Sequence, residues 1–153
     1  MLSKDRLKEI TLFRELSDED IEVVASVLEE GFYKKGSVIW EEGTAEQGLH
    51  IIDHGKVRVC RNTREGHKQV LAVLKDNNFY GELSILDGRM HSASVEAVED
   101  TKVLVLHKSS MDKFLQDNPN IAFNIVRVMT IEVSELLRVM NAKFMDMVNY
   151  VWE

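Results

Sequence analysis

Chemistry in this chain concentrates in one short stretch, Gly81-Glu82-Leu83-Ser84 followed by Arg89, His91, Ser92 and Ala93. Gly81 permits a positive φ and close backbone approach. Glu82 to Leu86 is long enough for about one helical turn, and the start of a helix leaves backbone N–H groups free to face an anion. Asp87-Gly88 is a turn signal, and His91-Ser92-Ala93-Ser94-Val95 then resumes an extended pattern with small residues where a ligand could lie close. A carboxylate that accepts from hydroxyls, a set of free amides and a serine hydroxyl suit a ligand carrying both hydroxyl and phosphate groups.

The stretch from Phe79 to Ala97 resembles, without a gap, the phosphate-binding cassette of cyclic nucleotide-binding domains. That is the fold of the effector domain of catabolite-activator-type regulators and of protein kinase A regulatory subunits. The resemblance implies that Glu82 binds the ribose 2′-hydroxyl. It also implies that an Arg just before the small-residue pair, with nearby amides, binds the cyclic phosphate. That position is His91 here. Arg presents a permanently charged planar fork, whereas His offers one directed donor when neutral and protonates near pH ~6.5. Three readings follow: His91 binds the phosphate weakly and better at lower pH; Arg89 reaches in from the same side of an extended chain; or the pocket is degenerate or takes another ligand. Ser92 is a hydroxyl and amide donor on the binding readings. At the base end, an alignment anchored on Asn118-Pro119 puts Leu136 and Leu137 where the best-known transcription factors of the family place hydroxyl residues. An apolar lid stacks on a purine without hydrogen-bonding its edge, so cyclic AMP and cyclic GMP both stay open.

Other chemistries are poorly supported. No His-x-His pair occurs among His50, His54, His67 and His107, which argues against a cupin-like metal-dependent barrel enzyme. The single cysteine, Cys60, allows no intramolecular disulfide or Cys-cluster metal site and fits a reducing cytoplasm. It reads as a structural thiol rather than a nucleophile, and no nucleophile elbow, P-loop or dinucleotide fingerprint is present. A net charge of −7, from 19 basic and 26 acidic residues, argues against direct nucleic-acid binding. No apolar run approaches the roughly 18 residues of a membrane span, and the first residues lack the apolar core of a signal peptide.

The elements that must position the stretch are legible in part. The 153 residues suit one domain, 1–153. Residues 3–15 read as a helical lead-in, and Ser17 as the N-cap of a helix with Ile21, Val24, Ala25 and Leu28 on one face, stopping at Gly31. Residues 1–31 are thus N-terminal helices. From 32 to 107, short β-branched runs separated by glycines predict a mainly β region, a jelly-roll (double-stranded β-helix) barrel that includes the cassette at 79–97. Residues 108–153 predict C-terminal helices: a short one, Met111 to Gln116, capped at Ser109-Ser110, then one of about 30 residues from Asn120, about 45 Å long. Ala122, Val126, Met129, Val133, Leu136, Met140, Lys143, Met147 and Tyr150 form one stripe on it, with Lys143 the polar interruption. Leu137, Met140, Phe144, Met147 and Val151 form a second. One stripe serves the barrel, and two predict a partner as well, with a homodimer through this helix expected.

The expectation is a non-enzymatic cyclic nucleotide sensor that signals through its long helix to a protein partner. No helix-turn-helix module is expected after Trp152-Glu153. The alternative is a degenerate dimerisation scaffold, with a filled-in pocket and Glu82 paired internally.

Overall fold

The computed structural model describes residues 2–152; Met1 and Glu153, the two ends of the expected single-domain span, lie outside them. The lead-in is α1, Lys4–Glu9, where the Ser3 hydroxyl accepts from the Arg6 N–H, followed by a 3-10 turn at Thr11–Phe13. In α2, Asp18–Val27, the Ser17 hydroxyl accepts from the Asp20 N–H at 3.1 Å, the cap that its position predicts.

This helix does not run to Gly31. It closes with Leu28 N–H on Val24 O, and Glu29–Tyr33 forms strand β1 instead. Pairing overrides the helical reading. Gly31 sits opposite Val103, where a Cβ would come within 3.0 Å of the Val103 side chain. The glycine is there for close packing inside a strand, not to end a helix.

The strands that follow are β2 (Val38–Trp40), β3 (Leu49–His54), β4 (Lys56–Asn62), β5 (Lys68–Lys75) and β6 (Phe79–Tyr80). After helix α3 (Glu82–Asp87) come β7 (Ser94–Ala97) and β8 (Thr101–Leu106). They form two antiparallel four-stranded sheets, ordered β1-β8-β3-β6 and β2-β7-β4-β5. The architecture is a jelly-roll sandwich with flanking helices. It is two sheets with free edges rather than a closed barrel.

Strand β3 explains the layering. Leu49 and Ile51 join one apolar cluster with Leu7, Phe13, Ile21 and Met111, on the helical side of the first sheet. Ile52 points the other way, between the sheets, with Trp40, Val57, Tyr80 and Val95. Both faces of β3 are therefore buried from Leu49 to Ile52, with His50 the one polar residue in that run.

Helix α4 spans Lys108–Asp117, one turn earlier than Ser109-Ser110 implies, with His107 at the N-cap and no side-chain capping bond. Helix α5 spans Pro119–Trp152, 34 residues without a break. Its buried ridge is Ile121, Ala122, Ile125, Val128 and Met129. Ala122 and Met129 of the expected stripe belong to that ridge and Val126 packs partly against the core, while Ile121, Ile125 and Val128 widen the ridge by one residue to the side where the 3-10 turn and α4 pack. Beyond Met129 the apolar residues Leu136, Leu137, Met140, Phe144, Met147 and Val151 are exposed. No helix among the described residues is long and apolar enough to cross a membrane.

Candidate functional site

The bend before α3 is set by Gly81, with φ +89°. A Cβ there would meet Gly48 O at 2.6 Å and the Trp40 ring at 3.0 Å, so only glycine lets the cassette backbone lie this close to β2 and β3. Gly81 O accepts the first helical bond, from Ile85 N–H at 3.2 Å. The earlier amides of α3 are the orphan donors of a helix start. Ser84 is buried in α3, whereas Leu83 turns outward to the rim.

Glu82 is half-buried, and burial pushes its carboxyl above the usual range, opposed by its own backbone amide. No cation pairs with it among the described residues. A desolvated carboxylate facing a cavity is ready to accept from ligand hydroxyls.

His91 is held by its backbone. Its N–H donates to Thr44 O at 2.9 Å, and its carbonyl accepts from Gly43 N–H at 2.8 Å. The ring, 4 % exposed, stacks on Trp40 with centroids 3.6 Å apart. Its Nε2 is buried and has no hydrogen-bond partner. Burial lowers its pKa, so the ring is neutral at pH 7. Trp40 is itself fixed, its Nε1–H donating to Ala93 O at 3.1 Å.

A cavity of about 550 Å³ opens against these groups, within the roughly 300–1,000 Å³ typical of small-ligand sites. Gly81, Glu82, Leu83, Ser84, His91, Ser92 and Ala93 all line it. The opposite wall is α5, through Glu132, Val133, Leu136, Val139, Met140 and Lys143. Leu136 faces the cavity as expected of a lid, but Leu137 is not among the lining residues and stands exposed.

Arg89 also lies outside the cavity. Its side chain is 86 % exposed, 3.7 Å from the Asp87 carboxylate. Strand alternation between positions 89 and 91 does not operate, because β7 begins only at Ser94 and the intervening chain is irregular. Of the cavity-lining residues, Lys143 is the one Lys or Arg.

Trp40 also anchors an aromatic cluster that the sequence did not assign to this site. His50 Nδ1 lies 3.1 Å from the Tyr80 hydroxyl, and both rings pack edgewise on Trp40. Burial drives the His50 pKa down to about 4, so this is a neutral aromatic cluster. The signal was the alternation of β3, which turns His50 toward the inter-sheet side with Ile52. His54, His67 and His107 instead face Asp76, Glu65 and Glu29 at separate places on the surface. Among the described residues no three potential ligands converge to hold a metal. Cys60 is buried in β4 with its thiol pKa raised by burial.

Known proteins share this fold. The cyclic AMP receptor protein of Thermus thermophilus is 31% identical over 129 residues, covering 84% of this chain and 60% of that protein. The cAMP-dependent protein kinase regulatory subunit of Debaryomyces hansenii is 29% identical over 115 residues, covering 75% of this chain and 25% of that one. The chain thus spans under two thirds of the length of these curated relatives. Among solved structures, the Thermus thermophilus catabolite activator protein superposes with a TM-score of 0.75 at 30% identity, over 86% of this chain and 62% of the other. The N-terminal domain of a transcriptional regulator from Streptomyces coelicolor A3(2) gives 0.74 at 26% identity, covering 86% and 94%. Residues 30–118 match the family model of the cyclic nucleotide-binding domain, a regulatory ligand-binding unit rather than a catalytic one. The chain therefore belongs to the cyclic nucleotide-binding domain family.

Proposed function

We propose that this domain binds cyclic AMP or cyclic GMP in the cavity beneath α5 and passes its ligation state to a protein partner through that helix. The observation that carries this reading is the shared cavity: one wall is the cassette, with the unpaired Glu82 carboxylate, and the other is α5. A ligand seated there touches both, and its differential affinity for two placements of α5 is what would shift the helix. The exposed apolar residues of the distal half of α5 support a homodimer through this helix, with the same surface available to a partner. The buried Cys60 supports a cytoplasmic setting.

The scaffold reading has one observation in its favour. The group at the phosphate position is a buried neutral imidazole rather than a guanidinium. Against it stand the open cavity and a Glu82 without an internal cation.

Calorimetric titration of cyclic AMP and cyclic GMP into the folded protein separates the two. Saturable heat that Glu82→Ala abolishes supports the sensor. No heat with either nucleotide at millimolar concentration leaves the scaffold.

A further inference from the structure

We infer that Lys143, reaching in from α5, supplies the positive charge that holds the anionic group of the ligand in this cavity. The inference rests on the nucleotide-binding reading above and deepens it.

Three observations converge on Lys143. In the sequence it is the polar interruption of an otherwise apolar helical stripe. In the fold that stripe position turns to the cavity. Glu132, Leu136, Val139 and Lys143 recur at steps of four, three and four and line one wall together with Met140. And Lys143 is the sole Lys or Arg in the lining, with no carboxylate within ion-pair distance among the described residues. Glu132, on the same face, lies eleven residues earlier, about 16 Å along the axis, so it does not neutralise the ammonium.

The cassette leaves this role open. His91 is packed flat on Trp40 and buried, and Arg89 is turned out to Asp87. Apart from the Glu82 carboxylate, the cassette wall therefore brings amides, a hydroxyl and a neutral ring, but no positive charge to meet an anion. Lysine is a compact cation on a flexible stem, so it meets a phosphate without the fixed approach that a guanidinium fork demands. Such a contact has a mechanical consequence. When the charge comes from the helix rather than the cassette, the ligand anion itself ties α5 to the cavity. Occupancy and helix position are then coupled through one ion pair.

The test uses the full chain, with cyclic AMP and phosphate-free adenosine as probes, titrated by calorimetry at two salt concentrations. Lys143→Met is expected to weaken cyclic AMP about 5- to 50-fold and to flatten its salt dependence, while adenosine affinity stays within about 2-fold. Lys143→Arg is expected to restore cyclic AMP binding to within about 3-fold of the parent. Circular dichroism melting of both variants, at an exposed helix position, reports that the fold is intact. Parent protein that binds cyclic AMP while Lys143→Met leaves its affinity unchanged, or lowers both probes equally, overturns the role of Lys143 and spares the binding function. Parent protein that binds neither probe overturns both.

Discussion

The His91 imidazole lies flat on the Trp40 indole, ring planes 4° apart, and its Nε2 has no partner. Burial holds the ring below its ordinary pKa of 6.5. A bound anion favours the imidazolium, so the pKa of the complex is higher than that of the free protein, and affinity rises as pH falls through the window between them. Cyclic AMP affinity is therefore expected to be flat from pH 8 to 7 and to tighten below pH ~6.5, by at most about tenfold per pH unit for one proton. Glu82, whose carboxyl pKa is raised by burial, works against the gain wherever it takes up a proton, because it then loses acceptor capacity. Calorimetry at successive pH values, repeated on His91→Ala, isolates the imidazole. A parent that tightens no more than the variant removes His91 from the phosphate's surroundings.

Glu82 sets function against stability. Its carboxyl pKa is raised by burial, so the folded state disfavours the charged form above that pKa, and below the unfolded pKa near 4.5 the penalty vanishes. Glu82→Gln is expected to raise the melting temperature of the ligand-free protein by about 2–4 °C at pH 7, and not at all at pH ~4. The same substitution is expected to weaken cyclic AMP about 10- to 100-fold, since a charged acceptor for the ribose is lost. A variant that is both less stable and unimpaired in binding contradicts this placement of the carboxylate.

Gly81 and Gly88 flank α3, both with positive φ, yet they differ in surroundings. At Gly81 a Cβ would press on the Gly48 carbonyl at 2.6 Å, whereas at Gly88 it would meet only the flexible Lys108 side chain at 3.3 Å. Gly81→Ala is expected to cost about 2–3 kcal/mol and to abolish ligand binding, because strain and backbone clash add. Gly88→Ala carries the conformational strain alone, about 1 kcal/mol. Chemical denaturation of the pair measures the difference, and equal losses would mean that the contact with Gly48 does not hold the cassette.

What could be read from the sequence divides along a physical line. Strands β3, β4 and β5 were legible because β-branched runs between glycines are local signals, β8 because such a run follows the Asp100-Thr101 turn, and the cap at Ser17 because it too is local. Strand β1 was not, since Glu29-Glu30-Gly31 reads as a helix end and becomes a strand only through pairing with β8, more than 70 residues later. In the site, Gly81, Glu82 and Ser84 were legible as a contiguous motif. The stack of His91 on Trp40 was not, because it joins residues 51 positions apart through the sandwich. Arg89 shows the limit of periodicity: its predicted side followed from a strand that starts only at Ser94.

Helix α5 gives the remaining prediction. Its first turns are fastened to the domain by Ile121, Ile125, Val128 and Met129, all buried. Past Met129 the side chains of Leu137, Phe144 and Val151 are 56%, 58% and 71% exposed, spaced seven apart along one line. A seven-residue spacing of large apolar groups is the geometry of a seam between two helices, and an exposed face of this kind favours self-association. The protein is accordingly expected to sediment as a dimer, and Leu137→Glu with Phe144→Glu to return it to a monomer, weakening association at least about 100-fold. Since neither side chain is part of the domain's own core, the melting transition of the dilute monomer should change by no more than about 0.5 kcal/mol. A double variant that stays dimeric would move the seam off this face. One that unfolds would mean that the distal half of α5 is held by its own domain after all.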